Sequence, residues 1–539
     1  MLRALFVVQA CALIFFNHLG YGQEKTGEVQ SLPIHEEIFR LSSHSIVNLN
    51  GVTPFWFYSN TCGQVEKSKK SGQYFVGELY CSKQVGKISM VSGIELINYD
   101  VGKKNILTQL FLNLRYKKLL LRIGKERFTI GQYGDNLSSG SMFISSNARP
   151  LPRIGIGYYD YENVPFSNGW LVFKGACHLV LLNDDRGEKG TDKPYLHEKF
   201  LYIKTNNKFL NLWLGMNHSV LMGGAYPGGF RIPVDFDASF FGKGSNKFPK
   251  SFQGEQNNAA GAHFGLFDFG AKFQRSLWQI QTWYQKPISD GSGLHGIFKM
   301  NHDKVIGVNL EFYGKRIINH FVFEYLKTDH QSGKGIPNFP RNSELGNIDA
   351  IEDYDFYLYQ NYGITTSGIS KEEFIKYLLV YINGGEKLGG RDNYYNNGMY
   401  HMGNSYHGNS IGTPLFFTES DAEFWRGASK FSYDHYFISN RVIAYHFGIS
   451  GWFGQRINYR LLQTFSINKG SYAGKYQGIF NWNEQPNYFF SKGLHQNYFL
   501  FELNYFLKET PLVLSISEGW DMGQIAKSNA FQFSVSWML

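Results

Sequence analysis

Between Arg391 and Phe416 the chain reads RDNYYNNGMYHMGNSYHGNSIGTPLF, a run of Asn, Tyr, Gly and His with few aliphatic residues. Aromatic faces stack on the C–H faces of sugars, neighbouring amides satisfy sugar hydroxyls, and glycines let a ligand approach the backbone. On that reading Asp392, Asn393, Tyr395, Asn397, Tyr406 and His407 are the candidate contacts. The same residues also suit a loop that folds over itself and spends its hydrogen bonds internally, and the sequence leaves both readings open. Arg149 stands in Asn147-Ala148-Arg149-Pro150-Leu151-Pro152, a turn whose prolines fix φ. Its guanidinium can grip an anionic sugar bidentately or pair with a carboxylate inside the fold. His218 continues the alternation of Leu212, Leu214 and Met216, and is either a ligand contact or a hydrogen-bonded structural histidine. Arg441 and His446 lie five apart on an expected strand, so they point to opposite faces and do not form one site.

Other chemistries find less support. A glycosidase needs two carboxylates flanking the scissile bond. Pairs such as Glu352 with Asp355 exist, but 44 acidic residues guarantee some by chance. Asp290-Gly291-Ser292-Gly293 lacks the strand-to-helix setting of a nucleophile elbow. His401 and His407 have no third ligand in view, and no CxxC or Cys/His metal spacing occurs, so neither a metal nor a cofactor is expected. Cys62 and Cys81 either form a disulfide or are, with Cys177, small buried hydrophobes. The formal charge of +9 favours an acidic glycan or lipopolysaccharide phosphates as partners. No basic block interleaved with aromatics points to nucleic acid.

The elements that would carry these residues are strands. Aromatic residues make up 17% of the chain, yet no mature segment offers the roughly 18 consecutive apolar residues of a membrane helix. Leu110, Leu112, Leu114 and Tyr116 alternate with polar neighbours, as do Phe267, Phe269 and Phe273, Ile306, Val308 and Leu310, and Phe499, Phe501, Leu503 and Tyr505. Such segments recur often enough for on the order of 16 to 18 strands. Strands with one face to lipid must close, because a bilayer offers no water to an unpaired amide. Residues 1–22 read as a signal peptide, with an apolar stretch from Leu5 to Phe16 and Gly20-Tyr21-Gly22 before the cut. Residues 23–70 read as a periplasmic lead-in with a short helix through Ile34, Ile38, Leu41 and Ile46, and 71–539 as the barrel. A capped helix start at Ser370-Lys371-Glu372-Glu373 predicts a helix over 370–382 inside a long loop. The terminal alternation Phe531, Phe533, Val535, Trp537, Leu539 resembles the signal read by the barrel-assembly machinery. The expectation is an all-β fold, a transmembrane antiparallel β-barrel in the bacterial outer membrane.

Over most of its mature length the sequence resembles the Wzi family of capsule assembly proteins. The motifs that carry the resemblance are Gly124-Lys125-Glu126-Arg127, Leu137-Ser138-Ser139-Gly140-Ser141 and Ser145 through Pro152, then Asn217-His218 with Gly223-Gly224. Asp290 through Leu294 follows, with Glu324-Tyr325, Thr328 and Gln331-Ser332-Gly333, then Asp392 through Pro414, and last Asn440-Arg441-Val442, His446 and Gly451. The resemblance implies a barrel of about 18 strands with a small helical element on the periplasmic side. It further implies a lectin-like role, binding capsular polysaccharide or exopolysaccharide at the cell surface without transporting it and without catalysis. The alternative is an outer-membrane diffusion channel or transporter.

Overall fold

The computed structural model describes residues 37–68, 70–257, 259–289, 301–331, 392–426, 435–476 and 485–538, with 368, 370, 372 and 373. The strands are β1 Glu37–Asn50, β2 Gly72–Val85, β3 Ile88–Tyr99, β4 Lys104–Tyr116, β5 Leu119–Lys125, β6 Pro152–Asn163, β7 Leu171–Leu181, β8 Tyr195–Thr205 and β9 Leu210–Met222. They continue as β10 Ala262–Gln274, β11 Trp278–Ile288, β12 Lys304–Phe312, β13 His320–Lys327, β14 Val442–Phe453, β15 Ile457–Asn468, β16 Leu494–Phe506, β17 Leu512–Gly523 and β18 Ser528–Met538. Short helices lie in the connections: α1 Phe55–Tyr58, α2 Phe236–Phe241, α3 Gln253–Asn257, α4 Glu419–Arg426 and α5 Tyr472–Tyr476.

Each strand pairs antiparallel with its sequence neighbour, and β1 closes the 18-stranded sheet by pairing both β2 and β18. Leu41, for example, faces Gly77 on one side and Trp537 on the other. Closure leaves no edge of unpaired amides to face lipid. The two-residue period does the sorting. Leu110, Ile154, Leu212, Leu214 and Phe533 stand exposed on the outer wall, while Gln109, Asn113, Arg153 and Asp268 are buried on the inner one. Short turns connect the strands at the end where β1 starts and β18 stops, and all the long connections lie at the opposite, loop end.

The lead-in expected over 23–70 is corrected from Glu37 onward. Residues 37–50 are not a helix but the strand that seals the barrel. Ser43 and Ser45 sit in the lipid-facing row with Phe39, Leu41, Val47 and Leu49, which hides the period of two and leaves Ile38, Leu41 and Ile46 to mimic a helical spacing. The short helix in this region is α1, its four residues buried inside the barrel rather than ahead of it. Cys62 and Cys81 are both free. Cys81 lies opposite Glu37 near the turn end, whereas Cys62 belongs to the loop-end connection that holds α1. The signal peptide, the glycosidase pair Glu352 and Asp355, and the Asp290-Gly291-Ser292-Gly293 segment lie outside the described residues. So does most of the helix expected over 370–382, although its reciprocal capping bonds are formed: Glu373 N donates to Ser370 Oγ and Ser370 N to the Glu373 carboxylate, each at 3.2 Å.

Segments 51–68, 126–151, 392–426 and 435–440 fold from the loop end into the lumen and fill it. Phe55 stacks on Tyr498 of β16 at 4.2 Å, and its amide donates to Asp521 of β17 at 2.9 Å. Tyr133 donates to Asp268 of β10 at 2.7 Å. Phe143, Phe264, Tyr394, Tyr395, Phe416 and Phe437 bury their rings against one another where an open channel would carry water. These rings belong to one continuous cluster of buried apolar side chains. Beneath it the inner wall carries paired charges, among them Arg122–Glu126 at 2.7 Å and Arg460–Glu502 at 3.1 Å.

The connection 223–261 behaves differently and lies over the outer wall. His197 of β8 faces outward yet is buried, its ring 5.0 Å from Phe236 and 5.3 Å from Phe240 of α2, and Lys199 donates to the Phe240 carbonyl. In this connection Glu255 accepts from Gly261 N at 2.6 Å, and desolvation by burial raises its pKa to about 7. A carboxyl held above its unfolded value contributes docking stability that is complete below the unfolded pKa and is lost as pH rises toward 7. Hydrogen exchange of residues 223–261 should therefore be slower, relative to intrinsic rates, at pH 5 than at pH 8. Glu255→Gln should remove the difference; an unchanged pH response in that variant would contradict the assignment.

Candidate functional site

The loop-end mouth gathers charges from four places in the sequence. Lys104 opens β4, Lys125 closes β5, Glu66 comes from the connection carrying α1, and Arg149 comes from the proline-flanked turn before β6. Glu66 is shared: Lys104 Nζ lies 2.5 Å and Arg149 Nη2 3.3 Å from the same carboxylate oxygen. His407 completes the cluster from the tip of a two-residue ladder in which Tyr406 pairs with Asn409. Its backbone takes φ 48°, a conformation that a nearby hydrogen bond must hold. Asp184 supplies that bond, accepting from His407 N at 3.0 Å. The His407 ring packs against Tyr406 with centroids 4.4 Å apart. Burial of the packed face lowers its pKa first, and Arg149, Lys125 and Lys104 lower it further against the pull of Asp184, to about 4. The imidazole is therefore neutral at physiological pH, a donor and acceptor beside a cationic group.

Below Arg149 lies a small recess, lined by Cys62, Arg127, Phe128, Ser145, Arg149 and Arg153 among others. Three guanidiniums border it. Arg127 is engaged by Glu78 at 3.0 Å and by Glu95, and Arg153 lies 3.5 Å from Glu198. The mouth thus offers Lys104, Lys125 and Arg149 beside Glu66, while the nearby Asp184 carboxylate is engaged by Arg186 and His407 N. Such a set has the chemistry to exchange an internal carboxylate for an anionic group through charge-assisted, bidentate hydrogen bonds.

Of the residues expected from sequence, Arg149 and His407 meet at this mouth. Arg149 also forms the internal ion pair that its sequence context allowed. Asn393, Tyr395 and Tyr406 are buried and work as fasteners of the infolded segments. Asn393 Oδ1 accepts from Asn440 Nδ2 at 2.8 Å, Tyr395 donates to the Met142 carbonyl, and Tyr406 donates to Asn183 Oδ1 at 2.8 Å. Gly412 makes this contact feasible, since a Cβ there would sit 2.1 Å from the Tyr395 hydroxyl and 2.5 Å from the Met142 carbonyl. Asn397 is half-buried and caps a turn, accepting from Met399 N at 2.8 Å. Asp392 is half-buried, its carbonyl accepting from Ser289 Oγ at 3.0 Å. His218 is away from the mouth, on the outer wall under the 223–261 connection, and bonds the His263 ring at 3.0 Å. Arg441 and His446 are separate, the first over the Tyr472 ring at 3.9 Å, the second bonded inside the barrel to the Leu137 carbonyl at 2.7 Å. Sequence reasoning missed Glu66 and Lys104, because charges at strand tips are too common to signal a site.

No family model matches the chain, and no curated protein matches it. Among solved structures it is similar to Wzi of Escherichia coli, an outer-membrane protein involved in group 1 capsule assembly and described as a carbohydrate-binding β-barrel. The similarity has a TM-score of 0.50 and 11% identity over 92% of this chain and 83% of that one. It is also similar to two Pseudomonas aeruginosa proteins: OccK5, with TM-score 0.42, 8% identity and coverages of 94% and 99%, and OprD, with 0.41, 9%, 94% and 95%. With Wzi it shares the fold, a closed barrel of the bacterial outer membrane, and that is where this chain resides. In such barrels the short turns face the periplasm and the long loops face the exterior, so the charged mouth is extracellular.

Proposed function

We propose that this outer-membrane protein is a closed barrel that binds acidic surface polysaccharide at its extracellular mouth and so holds capsular polysaccharide or exopolysaccharide on the cell. The observation that carries the reading is the conjunction of a filled lumen with a cationic mouth above it. Tyr395, Phe416 and Phe437 pack across the path a solute would take, while Lys104 and His407, exposed, and Arg149 and Lys125, half-buried, stand above them. A plugged cylinder with an exposed anion-exchanging group suits retention of a polymer better than its passage. The fold carries carbohydrate binding in E. coli Wzi, which supports the same use here.

The test pairs two measurements. Purified barrel in planar bilayers should be electrically silent, and the same preparation should bind the host's own acidic polysaccharide but lose that binding when the polymer's carboxyl groups are reduced to alcohols. In cells, deleting the gene should leave polymer synthesis intact and release polymer into the medium. Steady ion conductance without polymer binding would replace this reading with that of a diffusion channel.

A further inference from the structure

We infer that the periplasmic rim is a binding surface for anionic phospholipid headgroups of the inner leaflet. The periplasmic turns 86–87, 117–118, 206–209, 275–277, 313–319, 454–456 and 507–511 each bring at least one lysine or arginine, and only 164–170 brings none. Glu509 is the one acidic residue in all of these turns, and it is taken by its neighbour Lys508 at 3.0 Å. The cations are exposed, and they run almost completely around the barrel.

Their depth identifies the partner. Lys117 Nζ lies 5.7 Å from the centroid of Tyr116, Arg275 4.8 Å from that of Phe273, and Arg316 5.7 Å from that of Phe312. All three rings belong to outward, lipid-facing rows of β4, β10 and β12. Lys208 and Arg275 also share Phe209, at 5.6 and 4.7 Å. Cation–π contacts therefore hold the charged groups against the wall where the aromatic girdle meets the headgroups, not out in the periplasm. Leu277 and Ile317, both strongly exposed, sit in the same turns and mark the apolar side of that boundary. A phosphate at this level meets a donor at nearly every turn, and basic residues beside an anionic leaflet attract it.

The test uses full-length barrel in phosphatidylcholine vesicles with spin-labelled phosphatidylglycerol or spin-labelled phosphatidylcholine, reading the immobilised fraction by electron paramagnetic resonance. Phosphatidylglycerol should be preferred, by up to roughly fivefold per engaged cation at low salt, with the preference falling as salt is added. The quadruple variant K117Q/K208Q/R275Q/R316Q, which leaves Lys87, Lys118, Lys315, Arg456 and Lys508 in place, should reduce the preference at least severalfold, and the extracellular variant K189Q/K193Q/K247Q should keep it in full. Equal immobilisation of the two lipids by the unmodified barrel overturns the inference without need of any variant. So does a preference that the quadruple change leaves undiminished or that falls equally in the extracellular variant. Binding of soluble polyglutamate without lipid preference would assign the rim to an acidic periplasmic polymer instead.

Discussion

Replacing Glu324 by alanine should lower the stability of the barrel by about 3 kcal/mol and make a silent protein conduct ions. The Glu324 side chain points inward from β13 and is 4% exposed. One of its oxygens accepts from Ser138 Oγ at 2.8 Å, and the other from Ser139 N at 2.6 Å and Ser139 Oγ at 2.5 Å. Directly opposite on β14 is His446, whose Nε2 reaches the Leu137 carbonyl at 2.7 Å and whose Nδ1 reaches Thr464 Oγ1 at 2.7 Å. Residues 137–139 are thus fastened to two adjacent strands through a carboxylate and an imidazole in a water-poor interior, where each unmatched donor carries its full desolvation penalty.

Alanine removes three acceptor contacts at once and leaves a void beside the donors. Segment 126–151 is also what the Arg391–Phe416 region leans on, since Ser145 N donates to Ile411 O at 3.0 Å and Tyr395 donates to Met142 O. Loosening one fastener therefore loosens both plug segments. Glu324→Gln should fall between: it keeps the volume and can turn its carbonyl oxygen to Ser139 and its amide to the Ser138 hydroxyl, but it loses the charge that strengthens these bonds. Denaturant midpoints in detergent and single-channel recordings read the two effects. Wild-type midpoints with continued silence in Glu324→Ala would refute the fastening role.

The lipid-facing rows were legible because they obey a physical period. Wherever the outer face carries apolar residues at every second position, as in β4, β10, β12, β16 and β18, the sequence alone locates the strand. β1 escaped because Ser43 and Ser45 occupy outward positions. The plug was not legible. Its contacts join residues such as Tyr395 and Met142, more than two hundred positions apart, and no local spacing encodes such a meeting. The short motifs at Leu137–Ser141, Glu324, Gln331, Asn393 and Asn440 were readable one by one. Only the structure shows that they clasp one another: Glu324 takes Ser138 and Ser139, Gln331 donates to Asn440 at 3.1 Å, and Asn440 donates to Asn393. Those motifs therefore report how the infolded segments are fastened. The sugar-like chemistry of Asn393, Tyr395 and Tyr406 is directed inward, as the self-folding reading of that loop allowed. At the mouth, Arg149 was conspicuous for its prolines and His407 for its neighbours, whereas Glu66 and Lys104 acquire meaning only through the ion pairs that join them.

Those ion pairs give two substitutions opposite signs. Arg149→Glu should weaken binding of acidic polysaccharide by tenfold or more, about 1.4 kcal/mol, and leave binding of the carboxyl-reduced polymer unchanged. Arg149→Lys should recover part of the loss, since it restores charge without the planar fork. Glu66→Gln should do the reverse and tighten acidic polymer. Glu66 holds Arg149 and Lys104 within 3.3 and 2.5 Å of one oxygen, so a ligand carboxylate must displace it to reach either cation. Neutralising that internal competitor leaves the cations less well compensated and steepens the salt dependence of binding. A merely structural Glu66–Arg149 pair would behave otherwise, because loss of either partner would disorder the turn and weaken binding in both variants. Isothermal titration of the three variants with native and reduced polymer separates the two cases. If Arg149→Glu and Glu66→Gln shift affinity in the same direction, or neither shifts it, the mouth is not where the polysaccharide is held.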